Sequence, residues 1–188
     1  MKTMTVKMMG IAFLLSLSAC VETTSPVCNK SNLIDVTKFA GDYQSSLLMD
    51  PSTDVVNQNL KIVRKALGRY ELQVEGQNSE VAVCQVGAYK IAEFSTKYGT
   101  FQQSVISKSA EGPLAFSQWI IDAKTLDAAK IPYEIVEREA DGLAGLKVNP
   151  FEEEPAKRAV LVINNSDAAS AKTLSQKAVP SAMSMLVH

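Results

Sequence analysis

The sequence is poor in the residues on which most active sites and metal sites depend. Its single histidine, His188, stands at the last position, where a side chain is seldom held firmly enough to act as a general base or metal ligand. A Cys-x-x-Cys pair, a nucleophile elbow and a phosphate-binding glycine loop are also missing. We therefore predict that the protein is not an enzyme and has no metal site or cofactor. A hydrolase that uses a Ser-Lys pair or two carboxylates remains an alternative, because these residue types are present, although the sequence does not single out particular residues for these roles.

Blocks of basic residues are missing too. The sequence has 19 basic and 20 acidic residues and a net charge of −1. Binding to nucleic acid depends on clustered Lys and Arg that neutralise phosphates, so we do not expect nucleic acid as a partner. The acidic run at residues 152–154, between Pro150 and Pro155, lacks the spaced ligands of a calcium-binding loop. We interpret it as a solvated loop.

The apolar run at the N-terminus is too short to span a membrane. Residues 8–17 form a stretch of about ten residues, whereas a spanning helix needs about 20. Lys2 and Lys7 precede the run and small residues follow it, which is the layout of a signal peptide. The next residues, Leu17-Ser18-Ala19-Cys20, resemble the lipobox of bacterial lipoproteins. An ordinary secretory signal followed by a chance cysteine is the alternative.

The lipobox resemblance implies where the protein is anchored. It implies cleavage before Cys20, acylation of the Cys20 sulfur and amino group with fatty acids such as palmitate, and stable anchoring, since two lipid chains suffice for that. In such lipoproteins an Asp after the cysteine favours retention at the inner membrane, and Val21 stands there instead. The resemblance thus implies the outer membrane, facing the periplasm, or the cell membrane if the host has no outer membrane. The chain from Cys20 onward would have 17 basic and 20 acidic residues, a net charge of −3.

The two remaining cysteines, Cys28 and Cys84, form an even pair. In an oxidising envelope compartment disulfides form and persist, so we predict a Cys28–Cys84 disulfide. The alternative is that Cys84, within the apolar run 81–84, is a small buried hydrophobic residue.

The chain divides into a signal peptide (residues 1–19), a lipidated cysteine with a Thr-, Ser- and Pro-rich tether (20–31), and one domain (32–188). Within the domain, alternating segments separated by turns about every ten residues predict a mainly β fold. We expect an antiparallel meander of eight to ten strands, forming a lipocalin-like barrel or a sandwich, with one C-terminal helix at 168–178 capped by Ser166 or Asp167. Strands are predicted at residues 60–66, 69–75, 80–86, 89–96, 101–108, 114–122, 131–137, 146–149 and 159–163, with a single helical turn at 125–129, and residues 182–187 could add an edge strand. Turns between strands are predicted at Leu67-Gly68, 76–79 and Gly87-Ala88.

A second resemblance concerns the entry to the domain. Residues 35–43 (Asp-Val-Thr-Lys-Phe-Ala-Gly-Asp-Tyr) resemble the start of a lipocalin or calycin barrel, with Tyr43 where that family has Trp. Asn164 and Asn165 follow the last predicted barrel strand, where the family usually has an Arg. The resemblance implies a cup that binds a small apolar ligand such as a fatty acid.

The aromatic side chains allow two functions. They could line a ligand cavity, or they could fill a closed core, in which case an exposed face or edge strand would bind another envelope protein or peptidoglycan. The sequence names neither ligand nor oligomeric state. The candidate ligand-binding residues are Tyr43, Tyr70, Tyr89, Trp119 and Tyr133.

Overall fold

The computed structural model describes residues 20–47, 58–74, 77–108, 114–139, 157–165 and 168–187. In these ranges the protein is mainly β, with eleven strands in one mixed sheet and two short helices. The predicted class is confirmed, with one strand more than the upper expectation. No helix within the described ranges is long and apolar enough to cross a membrane.

The strands are numbered in chain order. They are β1 Cys20–Thr23, β2 Gly41–Leu47, β3 Gln58–Ala66, β4 Arg69–Val74, β5 Gln77–Val86, β6 Tyr89–Ser95, β7 Phe101–Lys108, β8 Leu114–Ile120, β9 Tyr133–Glu139, β10 Lys157–Ile163 and β11 Val179–Val187. Helix α1 spans Ala123–Ala129 and helix α2 spans Ala168–Lys177.

The predicted meander is present from β2 to β8. Each of these strands pairs antiparallel with the next one in the chain where both are described. Strand β11 then pairs with β8 on one side and β2 on the other, so eight strands are joined in a ring of pairings. The last segment, predicted as an edge strand, is therefore an inner strand, because α2 returns the chain to lie between β2 and β8.

The remaining strands extend the sheet beyond this ring. The first part of β7 pairs with β1, which pairs in parallel with β10, and β10 pairs antiparallel with β9. The sheet as a whole is not closed into a barrel, because β9 lies at one end of the strand order. One parallel pair, β1 with β10, accompanies the antiparallel meander and makes the sheet mixed.

The segment predicted as a tether, residues 20–31, is instead part of the folded domain. Val21 and Thr23 are buried in β1, with 3% and 0% exposure, and the Thr24 amide donates to the Ile163 carbonyl at 3.0 Å. The Asn165 side chain exchanges two 2.9 Å hydrogen bonds with the backbone of Ser25. The Thr- and Ser-rich composition suggested a solvated linker, but the backbone of these residues forms hydrogen bonds with β10 and with the residues that follow it.

Both helices lie near their predicted positions. Helix α1 begins two residues before the predicted turn because Asp122 caps it, with Oδ1 accepting from the Thr125 amide at 2.8 Å. Helix α2 agrees with the predicted range to one residue, and its predicted capping residues 166 and 167 lie outside the described residues. So does the predicted strand at 146–149.

The predicted turns at Gly68 and Gly87 are confirmed, and both glycines have a positive φ. Gly68, between β3 and β4, has φ +60°, and a Cβ on it would lie 2.7 Å from the Val83 carbonyl oxygen. Gly87 also has a positive φ, +56°, between β5 and β6. Of the turn predicted at 76–79, residues 77–79 belong to β5, and residue 76 lies outside the described residues.

Two buried clusters lie on opposite faces of the ring strands. Along β5, Val81 and Val83 belong to the inner cluster, whereas Ala82 and Cys84 belong to the outer cluster. The inner cluster fills the space enclosed by the ring; it comprises Phe39, Leu60, Ile62, Tyr70, Leu72, Val74, Val81, Val83, Ala92, Phe94, Ile106, Leu114 and Phe116. The outer cluster joins the outside of β5–β8 to β1, β10 and both helices; its largest members include Trp119, Ile121, Leu126, Ile131, Leu161, Ile163 and Leu174.

Candidate functional site

The five aromatic residues predicted to line one ligand cavity are divided between the two clusters. Tyr70 belongs to the inner cluster and Tyr43 packs against it. Trp119 belongs to the outer cluster, with Tyr89 and Tyr133 packed against that side. The structure therefore does not bring these residues together, because adjacent positions on a strand point to opposite faces of the sheet.

Phe39 fills the interior that an apolar ligand would need. Its ring lies edge-on to Tyr70 at 4.7 Å between centroids and 6.0 Å from Phe116, so it bridges β4 and β8 from within the ring. Phe39 is 1% exposed. The Tyr43 hydroxyl lies outside this contact and donates to the Lys38 carbonyl oxygen at 2.6 Å. In the lipocalin-like motif, the buried aromatic is thus Phe39 rather than Tyr43.

Residues 26–39, which we call the covering segment, run across β5 and lead to Phe39. The Cys28–Cys84 disulfide fixes one part, with 5.4 Å between the Cα atoms, and confirms the predicted pair. Residues 32–34 pair with residues 83–85 of β5, just past Ala82, where the pairing of β4 with β5 ends. The Ile34 amide donates to the Val83 carbonyl oxygen at 3.0 Å, and the Gln85 amide donates to the Asn32 carbonyl oxygen at 2.9 Å.

Asp35 fixes the second part of the covering segment to the β3–β4 hairpin. Its Oδ2 accepts from Arg64 Nη2 at 2.6 Å, and its Oδ1 accepts from the Gly68 amide at 3.0 Å. The Tyr70 hydroxyl also donates to Oδ1, at 3.2 Å. The hydrogen bond from Arg64, followed by that from Gly68, lowers the pKa of Asp35 to about 2.

A cleft of about 580 Å³ lies on the outer face of the ring beside the covering segment. The register places Arg69, Ala82 and Glu93 opposite one another on β4, β5 and β6. Glu71 and Glu80 form the next pair along the same face. Ala82 in the first row is itself buried, with 5% exposure, and Cys28 Sγ lies 3.7 Å from its carbonyl oxygen. The full lining is Pro26, Cys28, Lys65, Arg69, Tyr70, Glu71, Glu80, Val81, Ala82, Glu93, Ser95 and Phe101.

Glu93 is the most unusual residue of this cleft, a carboxylate with 4% exposure. Its Oε2 accepts from the Val27 amide at 2.6 Å and from Gln103 Nε2 at 3.1 Å, and its Oε1 accepts from the Cys28 amide at 3.2 Å. Burial raises the pKa of Glu93, and these donors and the charge of Arg69 oppose that rise. Glu93 therefore holds the covering segment against β6.

The rim of the cleft carries charges of both signs. Lys65 and Glu71 form an ion pair at 3.0 Å. Arg69 and Glu80 are exposed, and among the described residues neither has an ion-pair partner within 4 Å. Within the described ranges, the rim thus presents one cationic and one anionic side chain that are exposed and not engaged in an ion pair.

Sequence reasoning did not select Glu93 or Arg69. A signal was present, since Glu93 interrupts the apolar run Ile91-Ala92-Glu93-Phe94 at a position with apolar neighbours on both sides. A charged side chain at such a position indicates either that this face of the strand is exposed to water or that the carboxylate is buried and has hydrogen-bond partners. The partners come from residues 27 and 28, far away in the sequence.

The other predicted sites have simpler outcomes. Cys20 is the first residue of β1 and pairs with Val160, whereas residues 1–19, the acidic run 152–154 and His188 lie outside the described residues. No group of three or more potential metal-ligating side chains occurs in the part of the chain that is described.

Comparison with known proteins gives no relative: no family model, curated protein or solved structure matches this chain.

Proposed function

We propose that the protein is a lipid-anchored binding module of the bacterial envelope, without enzymatic activity, that binds a partner in the cleft on its outer face. The lipobox-like Leu17-Ser18-Ala19-Cys20 supports an anchor on Cys20 in the outer membrane, facing the periplasm. One observation carries the binding proposal: the inside of the ring is filled by Phe39 and its neighbours, whereas the cleft of about 580 Å³ opens on the outside.

The character of the cleft favours a polar partner over a fatty acid. An apolar ligand needs a mainly hydrophobic pocket with few polar groups, but five of the lining residues are charged. Transferring the tail of a fatty acid from water into such surroundings gains little free energy from the hydrophobic effect. Another envelope protein or the peptide part of peptidoglycan suits the cleft better.

The anchor is tested by replacing the acylated cysteine. In the full-length protein, Cys20→Ala should leave an unprocessed precursor and abolish labelling by a fatty-acid probe, while the wild type is labelled. A wild type that is processed normally but carries no label would contradict lipidation.

The binding site is tested with the mature protein in detergent micelles. We expect it to bind isolated peptidoglycan or a purified envelope protein, and we expect Ser95→Trp, which places a large side chain at the rim, to abolish that binding. Lys90→Ala is the control, because Lys90 is exposed on the same strand and does not line the cleft. Saturable binding of a fluorescent fatty acid, or partner binding that Ser95→Trp leaves intact, would contradict the proposal.

A further inference from the structure

We propose that the outer edge of β9 binds an extended basic segment of another protein as an additional strand. Strand β9 is the last in the order of the sheet, and all seven of its residues pair with β10 on one side. On the other side, which we call the outer edge, no strand of the described ranges pairs with it. Every second residue of such a strand presents its N–H and C=O outward, where a further strand can pair with them. No residue of β9 lines the cleft, so the proposal does not depend on the use of the cleft.

The middle of the outer edge presents an apolar side chain. Ile135 stands opposite Leu161 of β10, but Ile135 is 55% exposed whereas Leu161 is 4% exposed. A residue of an added strand directly opposite Ile135 would have its Cβ about 5 Å away. If that residue is apolar, the pair would remove part of the Ile135 side chain from water, which is favourable.

Exposed carboxylates flank Ile135 along the strand. Glu134 and Glu137 are both exposed, and within the described residues neither has an ion-pair partner within 4 Å. Because side chains alternate along a strand, Glu137 lies on the same face as Ile135 and Glu134 lies on the opposite face. A basic residue opposite each carboxylate would therefore form one ion pair on each face of the sheet.

The C-terminal end of β9 is already occupied by the turn between β6 and β7. Glu139 forms an ion pair with Lys97, and the guanidinium of Arg138 lies 4.0 Å from the centre of the Tyr98 ring. The Arg138 side chain is accordingly only 19% exposed. The part of the outer edge that an added strand can use is therefore residues 133–137.

The charge of β9 favours a basic segment over a second copy of this protein. The strand has three glutamates and one basic residue, Arg138, which already contacts Tyr98. Two β9 strands side by side would bring the glutamates of both copies together, and facing like charges destabilise a strand pair. Charged edge strands commonly prevent self-pairing in this way. The same carboxylates attract a strand that carries the opposite charge.

The order of these side chains gives the sequence that the edge would recognise. Antiparallel pairing is slightly more stable per residue than parallel pairing, so we take the added strand to be antiparallel to β9. Its residues opposite 137, 136, 135 and 134, in its own chain order, would then be Lys, any residue, an apolar residue and Lys.

Three dye-labelled octapeptides test the proposal by fluorescence anisotropy with the mature protein in micelles of an uncharged detergent. They are Thr-Thr-Lys-Thr-Val-Lys-Thr-Thr, the same peptide with both Lys replaced by Glu, and Thr-Thr-Thr-Lys-Lys-Val-Thr-Thr, which has the composition of the first. We expect the first peptide to bind at least about fivefold more tightly than either of the others, because only its charges oppose both carboxylates. No binding of the first peptide at millimolar concentration, or equal binding of the first and third peptides, would overturn the proposal.

A charge reversal on β9 assigns the binding to the outer edge. Glu134→Lys/Glu137→Lys changes two exposed side chains and should reverse the preference, so that the Glu peptide binds more tightly than the first peptide. An unfolded variant could not give this reversal. The control is Asp42→Lys, because Asp42 is exposed on β2, a strand with neighbours on both sides, and the wild-type preference should persist there. A double variant that keeps the wild-type preference, or that binds neither peptide, would contradict the proposal.

Sedimentation of the wild-type protein without peptide tests the second copy as the occupant. We expect no self-association that depends on β9. A dimer of the wild type that the double variant does not form would mean that the outer edge pairs with itself, and the proposal of a basic partner would be wrong.

Discussion

At the scale of single residues, Asp35 gives the clearest dependence on pH. Its pKa of about 2 lies below the ordinary value of 3.8 because the carboxylate accepts from Arg64 and Gly68. A lowered pKa in the folded state means that the contribution of Asp35 to stability is fully present above pH 3.8 and is lost as the pH falls through about 2.

Asp35→Asn tests this contribution. The variant should be less stable than the wild type at neutral pH, and the difference should shrink as the pH falls from 3.8 toward 2. Urea unfolding at constant ionic strength across that range measures it. The control is Asp42→Asn, whose exposed pair with Lys61 at 4.0 Å should contribute little. A difference that does not change with pH would show that Asp35 acts through shape rather than charge.

At the scale of elements, the covering segment ties the folded domain together. The disulfide spans 56 residues of sequence, and in the chain-entropy model a loop of that size contributes about 4 kcal/mol to the free energy of unfolding. We expect the double variant Cys28→Ser/Cys84→Ser to lose about that much in chemical denaturation. The sheet should persist, because the hydrogen bonds of Asn32 and Ile34 to β5 remain. The reduced wild type is the matched control, and a loss below about 1 kcal/mol would mean that the segment is held mainly by its other contacts.

Local signals were sufficient for the elements whose partners are close in sequence. Alternation in β3 to β8, together with Gly68 and Gly87, predicted the hairpins because the side chains repeat every second residue and the turns need positive φ. The parallel pairing of β1 with β10 joins residues about 140 positions apart, and no local pattern encodes it. The cleft was missed for the same reason, since Glu93 receives its partners from Val27 and Cys28.

At the scale of the whole molecule, the fold leaves no tether between the proposed lipid and the domain. Cys20 already pairs with Val160 in the sheet. The chain from Cys20 to the cleft wall at Cys28 covers at most about 27 Å when extended. If Cys20 carries the lipid, the cleft therefore lies within roughly 30 Å of the membrane surface, and its ligand is met close to the bilayer.

A linker insertion tests this closeness to the membrane. We expect energy transfer from a dye on a Ser95→Cys variant to acceptor lipids in vesicles to be high, and to fall when a Gly-Ser linker of about twelve residues is inserted after Cys20, because such a linker adds about 20 Å on average. The same dye-labelled protein produced from Val21 onward, with neither the signal peptide nor the lipid, gives the background. Equal energy transfer with and without the linker would mean that β1 separates from β10 at the membrane. Residues 20–23 would then act as a tether, and the buried contacts of Val21 and Thr23 would be lost.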